Sequence, residues 1–222
     1  MTKNVKIKEI FASIQGEGPF IGYKQLFIRF CGCNLKCKYC DTDFNDLNST
    51  FYAVEDLLKI INSNNDCHSI SLTGGEPLLQ ANFLKELLPQ STLPVYLENN
   101  ETLPDELEKI INNIDYISAD IKLPSCAGNS QLFNVHDKFF DIAKNKTLFA
   151  KIVFNKNITD DEILRTAELG LKYNIELILQ PMNNGNKMFN DSKFIEHLHN
   201  KYLKLYNKVR VIPQTHKYLN LQ

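Results

Sequence analysis

The chain predicts an α/β fold: a parallel sheet built from repeated strand–helix units, in one domain spanning residues 1–222. Two observations carry this. Short β-rich runs alternate with amphipathic stretches, and clusters of unusual polar residues fall just past the carboxyl ends of the runs. A strand over 5–11 stands ahead of the series. The series begins with a strand over 25–30 that leads into a cysteine-rich loop. A helix over 54–62 follows, with Val54, Leu57, Leu58 and Ile61 at helical spacing. The strand over 69–72 is followed by Thr73-Gly74-Gly75-Glu76 and a helix over 78–88. The strand over 94–97 runs into Glu98-Asn99-Asn100 and a helix over 104–112. The strand over 116–121 ends on Asp120 and Lys122, ahead of a helix over 134–143. A strand over 148–154 and a helix over 160–173 come next. The strand over 176–179 is followed by Gln180-Pro181-Met182-Asn183 and a helix over 192–206, and the strand over 209–212 by Pro213-Gln214-Thr215-His216. The carboxyl edge carries the chemistry of barrels and open α/β sheets, so polar clusters gathered there predict one shared site. An open doubly wound sheet and an incomplete barrel both satisfy the pattern.

Hydrophobic residues make up 43% of the chain, charged residues 23%, and the formal net charge is -1. No strong field of either sign is available to attract nucleic acid or an anionic membrane, and no basic stripe or aromatic platform is visible. No apolar run approaches the ~20 residues that a membrane helix needs. The start, from Met1 to Lys8, has basic residues without an apolar block behind them, so no export signal is expected. The expected location is the cytoplasm, where thiols stay reduced. The six cysteines then read as ligands, reactive thiols or buried fillers.

Cys33, Cys37 and Cys40 have CxxxCxxC spacing. Three soft thiolates in one loop can converge on zinc or on an iron–sulfur cluster. A 4Fe–4S cluster held by three cysteines leaves one iron free to bind a substrate or cofactor. The alternative takes Cys31 as a fourth ligand of a structural zinc, although one intervening residue is tighter than usual zinc spacing. Isolated Cys67 and Cys126 read as small buried hydrophobes.

Thr73-Gly74-Gly75-Glu76-Pro77 lies between a strand and a helix, and its glycines allow close backbone approach to a ligand. Gln15-Gly16-Glu17-Gly18-Pro19 is a turn with a carboxylate at its centre. Arg29 is a lone charge in an apolar strand and needs an anionic partner, either a bound carboxylate or an internal ion pair. Gln214 and His216 read either as site residues or as ordinary surface.

The cysteine triplet followed by Gly-Gly-Glu-Pro resembles the radical S-adenosylmethionine (SAM) superfamily. The segments Ser13–Gly18, Phe27-Ile28-Arg29, Cys40-Asp41-Thr42, Thr73–Pro77 and Arg210–Lys217 extend the likeness over essentially the whole chain. They resemble a branch, from the queuosine and deazapurine pathway, that contracts the ring of 6-carboxy-5,6,7,8-tetrahydropterin with loss of ammonia. The resemblance implies a partial (β/α)6-type TIM barrel with the extra N-terminal strand. It also implies a 4Fe–4S cluster on Cys33, Cys37 and Cys40 and reductive cleavage of SAM to a 5′-deoxyadenosyl radical. Magnesium is implied on Thr42. Ile14, Gln15, Gly16, Arg29, Thr73 and His216 match substrate positions. Tyr39, Asp41, Gly75, Glu98, Ser118, Asp120, Lys122, Gln180 and Asn183 match cofactor positions, with the choice between Ser118 and Asp120 open. The implied partners are the small pterin substrate, an electron donor such as flavodoxin or ferredoxin, and a second copy in a homodimer, with neither nucleic acid nor membrane. One departure stands out: Glu101 occupies a position where the family often has glycine, which takes positive φ freely. A radical-generating activase of a glycyl-radical enzyme shares the cysteine spacing, but does not require Gln15, Arg29 and the C-terminal Pro-Gln-x-His together. A zinc-stabilised binding module predicts zinc without iron.

Overall fold

The computed structural model describes residues 4–40, 42–43, 45–184 and 187–221. Among these a nine-stranded sheet carries the architecture. Seven strands are parallel, in the spatial order β2(Lys24–Phe30), β4(Ser69–Gly74), β5(Val95–Asn99), β6(Tyr116–Ile121), β7(Thr147–Phe154), β8(Glu176–Pro181) and β11(Val209–Val211). β1(Asn4–Ile14) lies antiparallel on β2, and β3(Thr50–Ala53) antiparallel on β1. β3 and β11 are the two edges, so the sheet is a part-barrel and not a closed one. A two-residue ladder joins β9(Asn183–Asn184) to β10(Lys187–Met188).

The helices are α1(Val54–Ser63), α2(Ala81–Leu87), α3(Pro104–Glu108), α4(Pro124–Ala127), α5(Phe133–Ala143), α6(Asp160–Tyr173), α7(Ser192–Leu203) and α8(Thr215–Leu219). Three expected helices are shorter, the 192–206 stretch ending at Leu203. Pro77 and Pro89 bracket the 78–88 stretch, and α2 is flanked by the 3-10 turns Pro77–Gln80 and Leu88–Gln90 that contain them. The 104–112 stretch keeps only α3 and a 3-10 turn Ile111–Asn113. The long α6 opens on a capping box, in which the Thr159 hydroxyl and the Glu162 carboxylate satisfy each other's backbone N–H groups.

Period-two alternation gives each strand two different faces. Ile70, Leu72, Leu97, Ile117, Ile152, Leu177 and Leu179 point outward into the main core with Leu57, Ile61, Leu84 and Phe139 from the helices. The intervening residues line the concave face and are polar toward its top: Thr73, Glu98, Ser118, Asp120, Lys151 and Gln180. Lower down that face, Tyr96, Phe149 and Ile178 form a second apolar cluster. The 3-10 turn Gly18–Phe20 plugs this lower end. The Phe20 ring lies 5.3 Å from Tyr96 and 4.7 Å from Tyr116, centroid to centroid. Plugging the bottom leaves an open cleft at the top, where the strands end.

Candidate active site

The cleft measures about 970 Å³. The cysteine loop forms one wall, contributing Cys33, Leu35, Cys37, Tyr39, Cys40 and Thr42. Strand ends supply the floor and far wall: Thr73 to Gly75, Glu98 to Asn100, Asp120, Lys122, Lys151, Gln180 and Asn183. Among the described residues no three His, Cys, Asp or Glu side chains gather on one point. The three thiols of Cys33, Cys37 and Cys40 all line this wall of the cleft. Cys31 is buried and lies outside the cleft lining. Burial pushes the Cys33 and Cys37 thiols up. A bound cationic centre would hold them as thiolates.

Backbone contacts fix the cysteine loop. Glu76 N–H donates to the Gly32 carbonyl at 2.9 Å, and Gly75 N–H to the Phe30 carbonyl at 3.0 Å. A Cβ on Gly75 would stand 1.8 Å from the Gly32 oxygen, so only glycine allows the two loops to meet. Glu76 is fully buried and accepts from Leu78 N–H at 2.9 Å and Asn100 N–H at 2.8 Å. Burial pushes its carboxyl up to about 7 against those two bonds. This carboxylate ties the β4 loop to the β5 loop.

Two polar networks occupy the cleft. Glu98 accepts from Gln15 Nε2 at 2.8 Å and from the Thr73 hydroxyl at 3.0 Å, and Gln15 also donates to Gln25 at 2.9 Å. Opposite, Lys151 on β7 is 4% exposed and pairs with Glu17 at 2.5 Å, while Gln214 donates to the other Glu17 oxygen at 2.6 Å. Burial opposes the Glu17 charge, but the Lys151 ammonium and the two hydrogen bonds prevail and hold it at about 2. Nearer the cysteine wall, Lys122 pairs with Asp120 at 2.8 Å and lies over the Tyr39 ring. Burial works against the Lys122 ammonium, yet Asp120 keeps it protonated. Asp120 Oδ1, Gln180 Oε1 and the Tyr39 hydroxyl are buried without a hydrogen-bond partner, an unspent polar surface aimed at a ligand.

Residues 27–199 match the Radical SAM superfamily. The chain is 37% identical to the 7-carboxy-7-deazaguanine synthase of Geobacter sulfurreducens, with 96% of each chain covered. It is 36% identical to the enzyme of that name from Archaeoglobus fulgidus, covering 96% of this chain and 97% of the relative. The chain belongs to the 7-carboxy-7-deazaguanine synthase family of radical SAM proteins. Its fold matches the crystal structure of QueE from Escherichia coli with a TM-score of 0.66 at 20% identity, over 97% and 96% of the two chains. A radical SAM methyltransferase from Sphaerobacter thermophilus shares the fold more distantly, with a TM-score of 0.60 at 9% identity, over 92% of this chain and 77% of that one.

Of the positions that the family resemblance singles out, Cys33, Cys37, Tyr39, Cys40, Thr42, Thr73, Gly75, Glu98, Asp120, Lys122, Gln180 and Asn183 all meet in the cleft. Gln15 reaches it through Glu98. Ser118, one turn of the pleat below, is buried and outside the lining, while Asp120 lines the cleft. Gly16 backs the C-terminal segment: its carbonyl accepts from Thr215 N–H at 2.9 Å, and a Cβ there would meet His216 at 2.5 Å. Ile14 is 40% exposed and lies outside the cleft lining. Arg29 is also outside it, donating to Glu9 at 2.9 Å and lying over the Phe11 ring. It is nonetheless the register partner of Thr73 across β2 and β4. Asp41 lies outside the described residues. Glu17 and Asn100 lie in polar segments that the sequence singles out, without a role of their own; Lys151 is the lining residue with no place in the sequence reading, although a lone lysine in an apolar strand is the same signal as Arg29.

Proposed function

We propose that this protein converts 6-carboxy-5,6,7,8-tetrahydropterin to 7-carboxy-7-deazaguanine with loss of ammonia, as a carbon–nitrogen lyase of the radical SAM type. The observation that carries the reading is a single cleft in which the three thiols face the Gln15–Glu98–Thr73 network. Cys33, Cys37 and Cys40 would hold a 4Fe–4S cluster. Tyr39, Gly75, Asp120, Lys122, Gln180 and Asn183 would contact SAM, and Thr42 would offer magnesium a hard oxygen. When bound, cluster and SAM together supply one-electron reduction and hydrogen-atom abstraction.

The chain's own residues bind, orient and keep charge in place. Glu98 is fixed by two donors and presents acceptor lone pairs, which suits the N–H-rich aminopyrimidinone edge of a pterin. Sequence matching groups Glu98 with the cofactor contacts, but its partners Gln15 and Thr73 are both substrate positions. Arg29 would exchange Glu9 for the substrate carboxylate, one oxyanion for another on the same guanidinium fork. The Glu17–Lys151 pair sets fixed opposite charges at the cleft edge, with little reorganisation left to do during reaction.

The test is anaerobic incubation of the iron-loaded protein with reductant, SAM and the carboxylated pterin. Formation of 7-carboxy-7-deazaguanine is expected, along with much slower SAM cleavage when the pterin lacks its carboxylate. SAM cleavage without the deazapurine product would move the chain to the glycyl-radical activase reading.

A further inference from the structure

Glu101 takes φ of 60°, the left-handed region, although it is not glycine. Its side chain is fully buried, and so is that of His136 on α5, at 1% exposure. Glu101 Oε2 and His136 Nδ1 lie 3.1 Å apart. Among the described residues, neither the carboxylate oxygens nor the ring nitrogens have a well-aligned hydrogen-bond partner, so this 3.1 Å ion-pair contact is the one polar approach that either side chain makes. A buried carboxylate without a partner is strongly disfavoured, and so is a non-glycine residue in this backbone region. Each cost here is borne by the same contact.

The turn so held lies against the cysteine loop. Its first residue, Asn99, accepts the Glu101 N–H through its side-chain oxygen at 2.9 Å. Asn100 donates through Nδ2 to Asn34 Oδ1 at 2.9 Å and lies 3.8 Å from the Cys33 sulfur. Thr102 accepts from Asn34 Nδ2 at 2.7 Å, and its own N–H donates to Asn100 Oδ1 at 3.1 Å. Glu101 thus sits between the two residues that grip the loop at Cys33 and Asn34, and its backbone angle sets where both of them point.

We infer that the buried Glu101–His136 contact is a positioning device that holds the 99–102 turn against the Cys33 end of the cluster loop. The inference rests on the cluster reading of that loop. Neither residue touches substrate or cluster; both act through Asn100 and Thr102.

The test uses the full chain, iron-loaded and iron-free, with Glu101→Gln, His136→Phe, the double substitution, and a Glu101→Gly and Glu101→Ala pair. Release of iron to a chelator is expected to accelerate roughly tenfold in each single variant, the loss of about one buried polar contact. The double variant should release no faster than the singles, because both remove one interaction. Glu101→Gly should hold its iron longer than Glu101→Ala, because glycine takes the turn without strain. In the iron-free chain, exchange of the Asn100 amide hydrogen should speed up in Glu101→Gln and His136→Phe. Wild-type release and wild-type Asn100 exchange in Glu101→Gln would overturn the inference. So would singles whose effects add in the double variant. If the wild-type chain takes up no iron, the cluster reading fails, and amide exchange in the iron-free chain alone decides the clamp. If His136→Phe does not fold, the near-isosteric Glu101→Gln carries the same decision.

Discussion

Replacing Cys37 with alanine will yield a folded chain that retains no iron–sulfur cluster and forms no product. Two thiolates on one loop do not hold a cluster that the wild-type protein holds with three. The fold should be nearly indifferent. Cys37 is only half-buried, it accepts one weak contact from Asn129 Nδ2 at 3.4 Å, and it belongs to neither apolar cluster. Changes at such sites usually stay within about 0.5 kcal/mol. Iron analysis, visible absorbance and thermal unfolding of the iron-free chains test both halves. Full iron content with turnover would sink the cysteine assignment. A large drop in the unfolding midpoint would show that the loop is part of the core.

Replacing Lys151 with methionine is expected to cost about 3–5 kcal/mol, because it strands a buried carboxylate in the cleft. For a chain of this size that is an unfolding midpoint lower by roughly 10 °C. Adding Glu17→Gln should recover most of the loss, since the unpaired charge is then gone. The pH dependence follows from the sign of the Glu17 shift. Its carboxyl falls from an ordinary 4.5 to about 2 in the folded chain. The wild-type pair therefore contributes fully above 4.5, and its contribution is lost as pH falls toward 2. Without Lys151, burial, already the largest single influence on Glu17, loses its main opponent and pushes the carboxyl up. The variant should then gain stability on acidification from neutral pH toward 4.5, where the wild type does not gain from this group. Urea midpoints at several pH values read this directly. A single variant as stable as wild type, with an unchanged pH profile, would show that the pair carries no such weight.

The cysteine loop was legible because ligand spacing is a local property of sequence, and the strand series because its period needs no tertiary context. Other features needed the assembled fold. β3 is only four residues long, and its pairing with β1 depends on where the cysteine loop returns the chain. In sequence the Gln15–Pro19 segment is legible as a turn with a carboxylate at its centre, but the partner of that carboxylate is not. The adjoining 3-10 turn Gly18–Phe20 becomes a plug, with Glu17 beside Lys151, only once Phe20 meets Tyr96 and Tyr116. Arg29 was legible as a charge in need of an anion, but Glu9 as that anion required the β1–β2 register. Glu101 was legible as the residue standing in a glycine's place. The compensating His136 is 35 residues downstream on another element, beyond any local pattern.

Metal analysis of the anaerobically purified protein decides whether the three thiols hold an iron–sulfur cluster. About four irons and about four sulfides per chain are expected, lost together in the Cys37→Ala variant, with SAM cleavage on reduction. Zinc in place of iron, with no SAM cleavage, would contradict the cluster assignment.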